Sequence, residues 1–230
     1  RKIRERPGRQ GLIVSDGVFS MDGDIVNLPG LVELADAYGL LSMIDEAHAT
    51  GVIGDTGRGC EEHFHMEGQV DILMGTLSKA IGAEGGYVCG SRTLTEYLKN
   101  KARSYIFSTS LSPVTMAAAK RALELIEKEP WRVERLQENI SHFCGQLREH
   151  GVEADSETAI IPIRIGEEEK AVKVSARLME QGFFIPAIRY PTVKKGEAML
   201  RAALMATHTK EELAAAAAAI AEAIDYCGGC

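Results

Sequence analysis

Residues 71–86 have the sequence Asp71-Ile-Leu-Met-Gly-Thr-Leu-Ser-Lys79-Ala-Ile-Gly-Ala-Glu-Gly-Gly86, a short apolar run followed by one lysine among small residues and glycines. The apolar run predicts a buried strand, and the small residues leave room for a bound group. A lysine shielded from water loses its proton more readily, and its free amine forms a Schiff base with an aldehyde. We therefore predict that Lys79 takes part in chemistry.

Short apolar runs and helical patterns alternate on both sides of this stretch. The predicted strands are 12–14, 40–44, 72–74, 86–89 and 105–107, and the predicted helices are 31–38 and 94–103. Alternation of this kind is typical of βαβ units. The first half of the chain is therefore predicted to be an α/β domain with a parallel sheet.

The second half of the chain has a different pattern. Helices are predicted at 114–126, 131–150, 170–181 and 210–226, and strands at 160–165, 183–188 and 199–204. Thr209 has the side chain of a helix N-cap and precedes the last, alanine-rich helix. We expect residues 1–130 to belong to a large domain, and residues 131–230 to form a bridging helix and a smaller α+β domain.

The composition is that of an ordinary globular protein. Of the 230 residues, 45% are hydrophobic and 26% charged, and the net charge is −7. A negative charge opposes nonspecific binding to nucleic acid or to an anionic membrane. No stretch approaches the ~20 apolar residues needed to span a bilayer, and residues 1–7 lack the apolar centre of a signal peptide. We expect a small-molecule partner and a cytoplasmic location.

The five cysteines are too few and too scattered for a disulfide framework, so we expect reduced thiols. Cys227-Gly-Gly-Cys230 has the spacing of a redox or metal-binding pair. No second pair follows to complete a tetrahedral site. A frayed tail is therefore the expected state of this segment.

Polar residues follow three of the predicted strands, where ligands bind in open α/β sheets. They are Asp16 and Ser20, Asp45 and His48, and Thr76 and Lys79. An acid, an imidazole, a hydroxyl and an amine should thus converge on one edge of the sheet. This convergence predicts a binding site there.

Asp45 ends an apolar run, so its carboxylate needs a cationic partner or a capping role. In a pyridoxal phosphate enzyme the partner is the ring nitrogen, which stays protonated. His48 has either a cofactor contact or a structural role, and the Thr76 hydroxyl suits phosphate or backbone capping equally. Arg201 interrupts an apolar strand and requires an anion, either a substrate carboxylate or a structural acid.

Two other kinds of site use the same residue types. The segment 44–48, Ile-Asp-Glu-Ala-His, matches the acidic box of helicase-type NTPases, but no G-x-x-x-x-G-K-[ST] loop occurs in the chain. Cys60, His63 and His65 are residue types that bind metals, but no second group of possible metal ligands follows them. A solvated surface turn is therefore expected there, with no metal site.

The ordered motifs together resemble the α-oxoamine synthases, which are fold-type I pyridoxal phosphate enzymes. The motifs are Ser15-Asp-Gly-Val-Phe-Ser-Met-Asp-Gly-Asp24, Asp45-Glu-Ala-His-Ala-Thr-Gly51, Gly57-Arg-Gly59, Thr76-Leu-Ser-Lys79, Ser108-Thr-Ser110, and Ile188-Arg-Tyr-Pro-Thr-Val193 followed by Arg201. The resemblance runs in order from about residue 11 to residue 209. It implies the transferase fold of this class, with the large domain truncated at its N-terminus.

The resemblance also implies how pyridoxal 5'-phosphate is held. Lys79 would carry the cofactor as an aldimine, and Asp45 would pair with the pyridinium nitrogen. His48 and Ser20 would contact the phenolic oxygen, and Thr76 would bind the phosphate.

Family members are homodimers with sites at the interface, so Thr109 of a neighbouring subunit would be a further phosphate ligand. Arg201 would bind the carboxylate of the amino-acid substrate. The implied reaction condenses an amino acid with an acyl-CoA thioester, with Lys79 removing the α-proton.

Within the family, the motifs favour the enzyme of biotin synthesis, with the glycine acetyltransferase or a serine palmitoyltransferase as alternatives. The run Arg189-Tyr190-Pro191 differs from the Arg-Pro-Pro of many biotin-pathway enzymes, which leaves the choice of acyl-CoA open. The family's N-terminal region, which stacks on the cofactor ring, has no counterpart in these 230 residues. We therefore expect weak or no activity from this chain alone, and a catalytically incomplete fragment or partner subunit is the alternative of another class.

Overall fold

The computed structural model describes residues 10–228. In chain order its elements are β1 (Leu12–Asp16), α1 (Leu28–Tyr38), β2 (Leu41–Asp45), α2 (Cys60–His63), β3 (Ile72–Thr76), β4 (Gly86–Gly90), α3 (Arg92–Lys101), α4 (Arg103–Ile106), α5 (Pro113–Lys128), α6 (Trp131–Glu149), β5 (Ile160–Gly166), α7 (Glu168–Glu180), β6 (Ala187–Ile188), β7 (Ala198–Ala203) and α8 (Lys210–Gly228). This is the α/β fold that the alternating pattern predicted.

The chain divides into two compact units. Unit 1 contains the residues up to Phe19 and Ile25–Val133, and unit 2 contains Ser20–Asp24 and the residues from Glu134 onward. The short segment 20–24 belongs to unit 2 because its backbone is bonded there. For example, the Thr158 hydroxyl donates to the carbonyl of Gly23 at 3.0 Å.

Unit 1 is built on a four-stranded sheet in the order β1-β2-β3-β4. The first three strands are parallel, as predicted, whereas β4 runs antiparallel to β3. The physical reason is the short connection 77–85, because a parallel return requires a crossover of a dozen or more residues. Asp71 ties two strands at their start, since its Oδ2 accepts from the Ser42 amide at 2.8 Å and hydroxyl at 3.0 Å.

The strand predicted at 105–107 is wrong. Residues 103–106 form the short helix α4, and Phe107 follows in a turn. The strand was predicted because aromatic and β-branched side chains are enriched in strands, but this local preference does not supply a neighbouring strand. Tyr105, Ile106 and Phe107 are all exposed, so no sheet covers them in this unit.

Unit 2 contains a three-stranded antiparallel sheet in the order β5-β7-β6. Its core includes large, fully buried side chains: Ile140, Phe143, Leu147, Ile161, Ile163, Leu178, Leu200 and Ile220. The strand predicted over 183–188 shortens to Ala187–Ile188. The carbonyl of Ile185 accepts from the Ser175 hydroxyl at 2.7 Å, so it is bonded to a helix rather than to a neighbouring strand.

Helix α8 begins as the sequence predicted. The Glu212 amide donates to the Thr209 hydroxyl at 3.2 Å, and the Thr209 amide donates to the Glu212 carboxylate at 2.9 Å, which is a capping box. The helix continues through Cys227, so the prediction of a frayed tail is wrong for that residue. Cys230 and residues 1–7 lie outside the described residues.

Replacing Thr209 with alanine is expected to lower the free energy of unfolding by about 1 kcal/mol, because the first turn of α8 loses its side-chain acceptor. Urea denaturation followed by circular dichroism measures the change. Thr209→Ser is the matched control, since serine keeps the hydroxyl. An alanine variant as stable as the parent protein would show that the cap contributes nothing.

Candidate active site

The loop after β3 is ordered by its own hydrogen bonds. The Leu77 amide donates to the Gly85 carbonyl at 2.9 Å, and the Ala83 amide donates to the Leu77 carbonyl at 2.6 Å. The Thr76 hydroxyl lies 2.8 Å from the Ser78 hydroxyl and accepts from the Ser78 amide at 3.2 Å. Thr76 therefore serves as a backbone cap, and the same edge presents two hydroxyl groups.

Lys79 is exposed in unit 1, so the expectation that it is buried is wrong. The reason lies in its neighbours: Leu77 and Ile81 are 6% and 5% exposed and pack with Ala119, which leaves the lysine between them on the open side of the turn. The Gly82 amide donates to the Lys79 carbonyl at 2.9 Å and closes that turn. A chemical role for Lys79 must rest on its position rather than on desolvation.

Asp45 is half-buried at the end of β2, and its Oδ1 accepts from the Ala47 amide at 2.8 Å. The residue therefore caps a turn, although the residues that follow are not helical. In the described part of the chain, Oδ2 has no hydrogen-bond partner or ion pair. His48 is half-buried in the same turn.

The sheet register places these residues at one edge. Asp45 is paired with Met74 in β3, and Thr76 lies two residues further along that strand. In parallel strands the carboxyl ends lie at the same edge. The structure thus brings Asp45, His48, Thr76 and Lys79 to a common edge of unit 1, and Asp16 is paired with Asp45 at the same edge, as the sequence predicted. Ser20, which was predicted to share this edge, belongs to unit 2.

Thr109 lies apart from this edge in the chain, in the exposed segment between α4 and α5. Within residues 10–228, no hydrogen bond joins it to the four residues above. Its role as a phosphate ligand of a neighbouring subunit stays a prediction.

Ser20 and Arg201 meet in unit 2. The Arg201 Nε donates to the Ser20 carbonyl at 2.7 Å, so Ser20 uses its backbone rather than its hydroxyl here. Arg201 is half-buried, and burial lowers the pKa of its guanidinium. No carboxylate pairs with Arg201 among the residues that the structure describes, so a structural acid is not its partner there.

Glu46 is a residue whose importance the sequence analysis missed. It is 3% exposed, and both carboxylate oxygens accept from the Cys60 amide, at 3.0 and 3.1 Å. Burial raises the pKa of Glu46 to about 7, against hydrogen bonds from Cys60 that lower it. Ser42 and Ile44 are buried in β2, and Glu46, directly after the strand, continues this alternation, so the two-residue period of the strand was the available signal.

Cys60 is completely buried, so the prediction of a solvated surface turn is wrong at this position. Burial and the neighbouring Glu46 carboxylate raise the pKa of its thiol. Gly59 precedes it with a φ of 93°, and a side chain there would collide with the Glu46 carboxylate. No group of three or more candidate metal ligands occurs in the described part of the chain.

Tyr87 is a half-buried polar residue that the sequence did not single out. Its hydroxyl lies 2.8 Å from the Thr50 hydroxyl, and burial raises the pKa of the phenol. Tyr87 is paired with Gly75 across β3 and β4, and a side chain at Gly75 would collide with the tyrosine ring. Gly75 in β3 is therefore required because the Tyr87 ring occupies the space that a side chain would need.

Known proteins similar to this chain belong to one group. The family model for aminotransferase class I and II matches residues 1–220. The putative 8-amino-7-oxononanoate synthase of Desulfovibrio desulfuricans is 50% identical over 224 residues, which are 97% of this chain and 58% of that protein. The chain thus spans less than two thirds of the length of this relative.

Two solved structures of enzymes with related names are also similar to this chain. The serine palmitoyltransferase of S. paucimobilis, solved with a bound pyridoxal phosphate–myriocin aldimine, has a TM-score of 0.93 and 29% identity, covering 100% of this chain and 58% of that chain. The 8-amino-7-oxononanoate synthase of Francisella tularensis has a TM-score of 0.81 and 29% identity, covering 98% of this chain and 66% of that one.

The structure contains no helix, within residues 10–228, with the length and apolar character required to cross a membrane. The fold, the site edge and the relatives agree with the motifs quoted from the sequence. The resemblance to the α-oxoamine synthases is confirmed, and the chain belongs to the aminotransferase class I and II family.

Proposed function

We propose that this chain is the catalytic part of a pyridoxal phosphate-dependent acyltransferase that condenses an amino acid with an acyl-CoA thioester to give an α-oxoamine. Among the relatives, 8-amino-7-oxononanoate synthases are the best guide to its substrates. The observation that carries the proposal is the 50% identity to such a protein over 97% of this chain. The common sheet edge with an amine, an acid and two hydroxyls supports it.

The residues at this edge fit pyridoxal 5'-phosphate. The Oδ2 of Asp45 is available, within the described residues, for a protonated ring nitrogen, and the exposed Lys79 amine is accessible to an aldehyde. Thr76 and Ser78 present hydroxyls suited to a phosphate. When bound, the cofactor supplies an electron sink for a carbanion at the amino-acid α-carbon.

The chain's own side chains then have separate tasks. Asp45 would hold the proton of the ring nitrogen, because a carboxylate favours a neighbouring positive charge. Lys79 would accept the α-proton of the amino acid, because an unprotonated amine can act as a general base. His48 would orient the cofactor's phenolic oxygen or the substrate carbonyl, and the Ser20 hydroxyl would contact the phenolic oxygen as well.

Arg201 would bind the amino-acid carboxylate, since it is half-buried and lacks a carboxylate partner in the described structure. Arg201→Gln is expected to raise KM for the amino acid by about 10- to 100-fold. KM for the acyl-CoA should change little. Arg164→Gln is the control, because this arginine on β5 is 71% exposed. Equal effects of the two substitutions on the amino-acid KM would contradict this role.

Mapping of the reduced cofactor adduct is the first test of the proposal. The purified chain is mixed with pyridoxal phosphate and reduced with borohydride, and the modified peptide is identified by mass spectrometry. A stoichiometric adduct at Lys79 is expected. Scattered labelling of a folded chain, or none, would mean that these residues do not form the site by themselves.

Substrate pairs then separate the alternatives. L-Alanine with a pimeloyl thioester tests the oxononanoate synthase reaction, and glycine with acetyl-CoA tests the acetyltransferase reaction. Activity with the second pair alone would reverse our ranking, and activity with serine and palmitoyl-CoA would favour the palmitoyltransferase.

A homodimer in the cytoplasm, with Thr109 reaching the neighbouring subunit's site, completes the proposal. Sedimentation with and without pyridoxal phosphate tests the assembly. An oligomeric state that does not change when pyridoxal phosphate is added would favour a noncatalytic partner subunit instead.

A further inference from the structure

Glu46 lies between two residues of the proposed site, directly after the last residue of β2. Asp45 is half-buried at the site edge, whereas Glu46 is buried and continues the alternation of buried residues that Ser42 and Ile44 begin in β2. Its amide donates to the Met74 carbonyl at 2.6 Å and so continues the bonding between β2 and β3. The backbone of this one residue connects Asp45 to the turn that carries His48.

Glu46 also closes the loop 46–60, which we name the site loop. The Glu46 carbonyl accepts from the amides of Ala49 and Thr50, each at 3.0 Å, and forms the first turn. Its carboxylate accepts from the Cys60 amide, where the loop ends. A single residue therefore fastens the beginning and the end of the site loop.

Burying a carboxylate at such a position is unfavourable in free energy. Within residues 10–228 no lysine, arginine or histidine forms an ion pair with Glu46, and its side-chain hydrogen bonds there all come from Cys60. Burial of a charge without a counter-ion is unfavourable, and a well-packed apolar side chain is often better for stability alone. The arrangement therefore favours a role in fixing geometry over a role in stability.

We propose that Glu46 is a positioning residue of the cofactor site: by binding the Cys60 amide to the end of β2, it fixes the turn that holds Asp45 and His48. The statement that Asp45 and His48 bind the cofactor rests on the proposed function. The statement that Glu46 fixes the position of His48 is independent of that function.

Glu62, on the helix α2 that follows the site loop, provides a matched comparison because its carboxylate is bonded to residues of that loop. Its carboxylate accepts from the Thr56 amide at 3.0 Å, the Thr56 hydroxyl at 2.6 Å and the Arg58 amide at 3.0 Å. It therefore holds the far end of the site loop, away in sequence from Asp45 and His48. Loss of Glu62 should loosen the loop without moving the residues next to β2.

The experiment compares four variants of the full chain. Glu46→Ala removes the acceptor, Glu46→Asp withdraws it by one methylene, Glu46→Gln keeps an acceptor oxygen, and Glu62→Ala loosens the far end. The first readout is the NMR signal of the His48 ring in the cofactor-free chain, assigned with a His48→Gln variant. The second is the dissociation constant for pyridoxal phosphate, from its visible absorption.

We expect Glu46→Ala and Glu46→Asp to shift the His48 signal and to weaken pyridoxal phosphate binding by about tenfold or more, because misplaced groups at a site lose much of their effect. Glu46→Gln should restore both properties to within about twofold, since the hydrogen bond is kept. Glu62→Ala should leave both unchanged while lowering thermal stability. If Glu46→Ala does not fold, Glu46→Asp carries the test.

An unchanged His48 signal in a folded Glu46→Ala or Glu46→Asp variant would overturn the inference. The same shift in Glu62→Ala would overturn it too, because any loosening of the loop would then suffice. Failure of the parent chain to bind pyridoxal phosphate would count against the proposed function instead, and the His48 signals of the cofactor-free variants would still decide the role of Glu46.

Discussion

Replacing Lys79 with alanine is expected to abolish the borohydride-stable pyridoxal phosphate adduct, together with any turnover that the parent chain shows. In the proposed function the amine is both the attachment point and the acceptor of the α-proton, so no neighbouring group replaces it. The adduct is measured by peptide mapping of the reduced protein, and turnover by release of free CoA thiol.

The control is Lys173→Ala, which removes an exposed lysine from α7 in unit 2. This variant should keep both the adduct and the turnover of the parent protein. Because Lys79 is exposed rather than desolvated, the substitution should leave the free energy of unfolding nearly unchanged. An adduct of undiminished yield in Lys79→Ala would place the attachment point elsewhere.

Glu46 is expected to make the stability of the chain depend on pH. Burial raises the pKa of its carboxyl group from 4.5 to about 7, and the charges of Glu61 and Asp45 act in the same direction. The folded state thus holds the proton more tightly than the unfolded state. The stabilisation is complete below pH 4.5 and disappears as the pH rises through 7.

Glu46→Gln should remove this dependence, because an amide does not titrate. Between pH 5 and pH 8 the parent protein is expected to lose about 2 to 3 kcal/mol of stability more than the variant does, since each pKa unit corresponds to about 1.4 kcal/mol. Urea denaturation at a series of pH values measures the difference. Parallel curves for the two proteins would refute the prediction.

Glu62→Gln is the control, because Glu62 should act with the opposite sign. Burial opposes its ionisation, but hydrogen bonds from Thr56 and Arg58 outweigh burial and lower the pKa of its carboxyl. Its stabilisation is present above pH 4.5 and is lost as the pH falls through the lowered pKa. The Glu62→Gln variant should therefore be less stable than the parent protein at neutral pH, with the difference shrinking in acid.

Most of the secondary structure could be predicted from local patterns. The apolar run 72–74 and the alanine-rich segment after Thr209 both form the elements expected of them. The segment 105–107 was mispredicted because its strand propensity is local, whereas a strand requires a partner. The antiparallel β4 also escaped prediction, since the direction of a strand depends on the length of the connection before it.

The candidate site was predictable to the extent that it follows from topology. Asp45, His48, Thr76 and Lys79 share an edge because parallel strands present their carboxyl ends together, and the order of the motifs identified the family. The exposure of Lys79 was not predictable from the glycines around it. It depends on Leu77 and Ile81 packing against α5, which lies far along the chain.

The α/β alternation, the N-cap of α8 and the family could all be read from residue types and their spacing along the chain. The bonds of Glu46 to the amide of Cys60, 14 residues away, and of Arg201 to the carbonyl of Ser20, 181 residues away, are visible only in the folded chain. The physical reason is that a buried polar group must find a partner in space. Which partner it meets depends on how the loops close and not on spacing along the chain.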